Sequence, residues 1–331
     1  MRRHPWIAVL LGVIVSAVLL LFAARGVDGA AVKTTLATAN YWLVAPFLLV
    51  LFLYYWVKTV RWTDLLSPVA RSRASQLFPS VMIGYAGSAL LPLQLGELIR
   101  AWLAARGLSI PALAVLMSIA LERIFDLLSI VLLLGIALAL GKSVPPLLIS
   151  AGWLIAAGSL AAAGMILFYV HRTPTVVRWT RSLTRWLPEK LSERIVRQVE
   201  AGAGGLQALR DGRLLLRALA TSVLQWLFMW ACVWISLAAV GIEPTVLSTF
   251  VVLVLMIIGI SLPNSPGYVG SIQLAYVLAL KPLGVDPAIA IGASVFFHVL
   301  AYVSVVVAGL FFLQRVGVGV SGLRAAFDQR V

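Results

Sequence analysis

The sequence predicts an all-α polytopic membrane protein, with about six full transmembrane helices and two re-entrant helical hairpins arranged as an inverted-topology repeat. Three observations carry that prediction. Hydrophobic residues fill 62% of the 331 positions and charged residues only 11%, where a soluble domain has about 45–50% and about 25%. Several charge-free stretches are long enough to cross a ~30 Å hydrocarbon core, which takes about 20 helical residues. Lysine and arginine gather in one set of loops, so the net charge of +14 reads as contact with an anionic membrane face rather than with nucleic acid. An ordinary globular enzyme and a disordered chain are excluded on the same grounds. The one cysteine, Cys232, lies inside an apolar run, which leaves no disulfide framework and no thiolate metal site. All 331 residues form a single membrane domain, with repeat halves at 1–141 and 142–331.

The charge-free stretches are 6–24, 41–57, 143–170, 218–242 and 287–314. A sixth, 111–140, is interrupted by Glu122, Arg123 and Asp126. The first follows Met1-Arg2-Arg3 as a signal peptide would. Its 19-residue apolar run exceeds the about 7–15 of a signal h-region, so a retained helix is expected. With the N-terminus in the cytoplasm, 19 Lys and Arg residues fall on the cytoplasmic side, Lys58, Arg61, Arg71 and Arg73 among them. Only four, Arg25, Lys33, Lys142 and Lys281, fall on the other. That asymmetry orients the chain with both termini inside. The hydrophilic segment 171–213, expected on the cytoplasmic side, holds Trp179, Leu183, Trp186 and Leu187 at i, i+4, i+7 and i+8, with Arg178, Arg181 and Arg185 off the stripe. This is the pattern of a helix lying in the membrane interface. The small residues at 201–205 that follow read as a flexible joint.

Two long apolar helices open alike. Gly107-Leu108-Ser109-Ile110-Pro111 precedes one and Gly284-Val285-Asp286-Pro287 the other, with Pro111 and Pro287 176 residues apart. Glu122 and His298 share that spacing. Upstream of each lies a Leu-Pro break among glycines, with Pro92 and Gly96 in the first and Pro263, Pro266, Gly267 and Gly270 in the second. These are the expected breakers of two hairpins, 77–106 entering from the cytoplasm and 244–281 from outside. Kinked full spans are the alternative. Irregular backbone at membrane depth survives only where protein or a wet cavity surrounds it. Inverted halves interrupted at matching places are the signature of an alternating-access transporter with its site at the repeat interface.

Glu97, Glu122 and Asp126 are the acids that do not belong to loops. Glu122 is 11 residues from Pro111, about 16 Å deep at ~1.5 Å per residue and so near the bilayer centre. Each such charge costs roughly 2.5–3.5 kcal/mol to insert, so the cluster needs a reason. Arg123 and Asp126, like Glu97 and Arg100, are i, i+3 and able to pair. One arginine between two acids leaves an unmatched negative charge or a protonated carboxyl, suited to an amine or a proton. Arg100, Arg123 and the helix N-termini at the breaks suit a phosphate. An inert ion-pair network locking hairpin to helix is the bland reading. Asn264 and Gln273 are candidate polar linings, though helix-to-helix hydrogen bonding explains them nearly as well. His298 joins the candidates through its equivalence to Glu122.

Gly135 to Lys142-Ser143 has five residues between its glycines where a phosphate loop needs four. No His-Glu-x-x-His, Gly-x-Ser-x-Gly or Cys/His cluster occurs, and the histidines are only His4, His171 and His298. The expectation is therefore a non-enzyme without metal or cofactor.

At Leu91-Pro92…Gly96-Glu97…Arg100, at Glu122-Arg123-Ile124-Phe125-Asp126, and at Leu262-Pro263…Pro266-Gly267-Tyr268-Val269-Gly270 the chain resembles the lysylphosphatidylglycerol synthase transmembrane-region family of flippase-like integral membrane proteins. The three motifs match in order and separation over nearly the whole chain. The resemblance implies movement of a phospholipid or lipid-linked phosphate between leaflets of a prokaryotic cytoplasmic membrane. The implied partners are anionic or amino-phospholipids, or an isoprenoid phosphate. No aminoacyl-transferase domain follows within the 331 residues, so lipid synthesis is not implied. The family usually carries Arg where this chain has His298, so identical cargo or coupling is not implied; the rival transporter reading has a small soluble anion as cargo. A scaffold for a lipid-modifying or glycosyltransferase complex is the reading of a different class.

Overall fold

The computed structural model describes residues 14, 17–91, 95–140, 146–261 and 266–316, and every regular element among them is helical. Pro92, Pro263 and Asn264 lie outside the described residues, as do most of the first expected span and Arg2, Arg3, Lys142, Arg324 and Arg330. After helical turns at 17–24, α1 (Gly29–Ala37) starts at Asp28, whose carboxylate accepts the Ala30 N–H at 2.9 Å. A 3-10 turn, Tyr41–Leu43, leads into α2 (Val44–Leu66). Then follow α3 (Ala74–Leu90), α4 (Gly96–Leu108), α5 (Ala112–Leu140), α6 (Pro146–His171), α7 (Thr173–Leu183) and α8 (Glu189–Gly204). The chain continues through α9 (Gly212–Ala239), α10 (Val246–Ser261), α11 (Ser271–Leu280) and α12 (Pro287–Val316).

By length and composition three described helices can cross a membrane: Tyr41–Leu66, Gly212–Ala239 and Pro287–Val316. A fourth is added if Ala156–His171 and Thr173–Leu183 count as one bent span. The 29-residue α5 carries Glu122, Arg123 and Asp126 at its middle. The run expected over 41–57 continues as helix to Leu66, because Lys58 and Arg61 turn inward instead of ending it.

Between α6 and α7 the axis bends by 89°. Trp179 and Leu183 stand exposed on α7. Trp186 and Leu187 do not extend that helix as expected, since Thr184 caps it and Pro188 follows. The expected joint at 201–205 is also corrected. It ends α8 and packs tightly, because a Cβ on Gly205 would collide with the backbone of Ala114.

Two helical hairpins dominate the interior. In the first, α3 and α4 run antiparallel at glycine distance, with Gly84 and Gly87 facing Gly96. A Cβ on Gly96 would run into the Gly84 carbonyl oxygen and the Ser88 amide, so small residues set this approach. In the second, α10 packs on α11, with Gly259 facing Ser271. Its turn has φ of 82° at Gly267, 57° at Tyr268 and 88° at Gly270, the left-handed region that glycine enters freely. The 3-10 turn Pro266–Tyr268 rests against α3, and α12 packs on both α3 and α11. The two broken segments therefore meet. One apolar core joins α2, α9, α10, α11 and α12 around Phe47, Leu237 and Tyr276. A second packs the first hairpin on α2 and α5 around Trp62, Val81 and Ala104.

Candidate functional site

Seven charged side chains converge where α2, α4 and α5 cross. Lys58 and Arg61 come from α2, Glu97 and Arg100 from α4, and Glu122, Arg123 and Asp126 from α5, each set on one helix face. Glu122 is fully buried and has three cationic neighbours: Arg100 at 2.7 Å, Arg61 at 3.2 Å and Lys58 at 3.3 Å. Asp126 accepts from Arg61 at 2.8 Å and Lys58 at 3.1 Å, and from the Gln225 amide at 2.7 Å. Arg61 also donates to the Ser222 hydroxyl at 2.8 Å. The Arg100 guanidinium lies 3.8 Å from the centre of the Trp62 ring. At the edge, Arg123 donates to Glu97, with Asp126 3.6 Å away, and Glu97 has Arg100 at 3.7 Å.

Four cations thus face three acids. This reverses the expected surplus of negative charge, since Lys58 and Arg61, counted as loop residues, belong to the cluster. With one cation more than acids no carboxyl has to stay protonated to balance the site. Sequence reasoning also passed over Ser222 and Gln225. The signals were present: Lys58 and Arg61 are i, i+3 and followed by Trp62, Leu65 and Leu66, and Gln225 interrupts an apolar run.

Beside the cluster lies a cavity of about 400 Å³. One wall is charged, with Lys58, Glu97, Arg123 and Asp126. Tyr54, Tyr55, Tyr85, Tyr268 and Tyr302 form an aromatic belt, and much of the remaining wall is aliphatic. Both hairpins contribute, through Tyr85 and Glu97 from one and Gly267 and Tyr268 from the other. Arg100 and Glu122 stand behind the wall, sealed in their ion pair and outside the lining.

His298 reaches the lining as well, but both ring nitrogens are engaged. Nε2–H donates to the Gly267 carbonyl at 2.6 Å, which only a protonated nitrogen can do. Nδ1 accepts from the Gln273 amide at 3.1 Å, and the Gln273 carbonyl oxygen accepts the Gly270 N–H at 2.8 Å. Gln273 is buried away from the cavity, so of the two expected polar linings the described one holds a helix turn.

Helical hairpins meeting at glycine contacts around a buried ionic cluster and an amphiphilic cavity define a multi-pass membrane protein built around a polar interior. Residues 9–309 match the family described as "Lysylphosphatidylglycerol synthase TM region", and the chain belongs to that family. Over 92% of its length it is 26% identical to "Glycosyltransferase AglD" of Haloferax volcanii. It covers 54% of that protein, so the chain spans about half the length of this curated relative. No solved structure matches the chain.

Proposed function

We propose that the protein is a carrier, not an enzyme, that moves a lipid with a phosphate-bearing head group between leaflets of a prokaryotic cytoplasmic membrane. The observation that carries this reading is the surplus cation beside the cavity. A buried cluster of four cations and three acids keeps one uncompensated positive charge, and a singly charged phosphodiester neutralises it. Arg123 is its ligand, because its side chain is 42% exposed while Lys58, Arg61 and Arg100 are at most 2% exposed. The aliphatic part of the wall and the tyrosine belt suit a head group whose tails stay in lipid.

Alternating access through two inverted halves is the mechanism this reading favours. The hairpin contact Gly84–Gly96 recurs 175 residues later as Gly259–Ser271. Glu97 and Gln273, each joining its hairpin to the following long helix, lie 176 apart. The two hairpins act as re-entrant elements, and about six full spans surround them with both termini in the cytoplasm. The likeness to a protein named as a glycosyltransferase favours a second reading, in which the phosphate belongs to a lipid-linked sugar that the chain carries or scaffolds.

Reconstitution tests both. Proteoliposomes should move fluorescent phosphatidylglycerol between leaflets, and Arg123→Gln should slow it roughly tenfold or more, as expected from losing a charge-assisted hydrogen bond of about 1.5–3 kcal/mol. Movement of a polyprenyl phosphosugar but not of phosphatidylglycerol selects the second cargo. If no lipid phosphate moves at all, the carrier reading fails.

A further inference from the structure

The geometry points to Glu97 as a stand-in for the cargo: its carboxylate occupies the anion seat on Arg123, and the incoming phosphate binds by displacing it. This rests on the reading that the cavity takes an anionic head group, and adds how it does so.

Glu97 differs from the other two acids. Glu122 and Asp126 each touch three cations. The Glu97 side chain is 19% exposed on the cavity wall, and its only hydrogen bond to a cation is with Arg123. Its Oε2 makes no hydrogen bond, and Arg100 lies 3.7 Å away. Arg123 in turn lines the cavity and is the one cluster cation whose side chain is well exposed. The loosest carboxylate therefore covers the most accessible guanidinium.

The pair is not needed to hold the first hairpin in place. Arg100 already ties α4 to Glu122 of α5 at 2.7 Å and stacks on Trp62 of α2. On the second hairpin the corresponding join of α11 to α12 is uncharged, Gln273 to His298 at 3.1 Å. A charged join at 97–123 thus does something that docking alone does not require. Opening it with no replacement leaves the partly buried guanidinium only Asp126 at 3.6 Å and no carboxylate hydrogen bond, which is unfavourable. Exchanging it for a phosphate keeps the guanidinium paired, with a planar fork that two phosphate oxygens can satisfy at once. Arrival of the cargo is then what releases α4 from α5 at this point. An empty cavity stays latched.

The test inverts the usual sign of a binding-site mutation. The full chain in phosphatidylcholine nanodiscs is titrated with short-chain phosphatidylglycerol and, separately, with inorganic phosphate. Glu97→Gln should bind roughly tenfold more tightly than the parent, since it removes the competing charge. Glu97→Asp, shorter by one methylene, should lie between them, and it serves if the Gln variant does not fold. Arg123→Gln should abolish binding. Tightening for the lipid identifies a head group as the source, and tightening for phosphate alone a soluble anion; either supports displacement. Unchanged or weaker binding by the Glu97 variants, with Arg123→Gln still abolishing it, overturns this inference and leaves the anion site standing. Binding that is indifferent to Arg123→Gln overturns the anion site itself.

Discussion

Glu122 is surrounded by Lys58, Arg61 and Arg100 and reaches no solvent. Removing its charge leaves Lys58 and Arg61 to share Asp126 and Arg100 with only Glu97 at 3.7 Å, so Glu122→Gln should lower stability by about 3–5 kcal/mol, as for any broken buried pair. Lys58→Met instead leaves three cations facing three acids and should cost clearly less. Thermal unfolding of the two purified variants in detergent ranks them, and equal losses would mean that the charge balance is not what stabilises the cluster. At this scale the sequence was half legible. Glu97, Arg100, Glu122, Arg123 and Asp126 were picked out because each is expensive in lipid, and all five come together. Lys58 and Arg61 were hidden, since a cation just past an apolar run looks the same whether the chain has left the membrane or the helix has turned it inward.

The first hairpin depends on an interface that lacks side chains. Gly96→Ala places a methyl group against the Gly84 carbonyl and the Ser88 amide, and neither is the movable end of a side chain. Loss of several kcal/mol is expected, of the order of 1–3 kcal/mol for overpacking plus a strained backbone. Gly107→Ala, also in α4 but with nothing within 4 Å of its added Cβ, should be neutral or stabilising by up to about 1 kcal/mol. Comparing folded yields and melting temperatures of the pair separates the close approach from glycine flexibility. Helix breaks were readable here because proline and glycine punctuate a chain by backbone geometry alone. Gly267 and Gly270 do sit at positive φ. What periodicity missed was the end of α7, where Thr184 and Pro188 overrode the stripe that ran on to Trp186 and Leu187.

Across the whole molecule, moving Lys58 and Arg61 into the interior removes two cations from the cytoplasmic tally without reversing it. In the proposed topology α8 lies on the cytoplasmic side and the residues around Lys281 on the opposite one. Cys232 is fully buried, so added cysteines can be read against a silent background. Glu193→Cys should react with an impermeant thiol reagent only from the cytoplasmic face, and Lys281→Cys only from the other. Labelling of both from one side would refute the topology. The equal spacing of the two prolines and of Glu122 and His298 was visible in the sequence. That the first hairpin is joined to the following long helix through charge and the second through Gln273 and His298 depends on which neighbours fold against those residues and could not be read from spacing. The unbalanced charge of the cluster also bears on the integrity of the membrane. A sodium or hydronium ion that came within about 4 Å of the spare positive charge would be repelled by about 4 kcal/mol at an effective dielectric near 20. In the proposed carrier, a passage that opened to water on either side would still refuse the ions whose leakage discharges the cell.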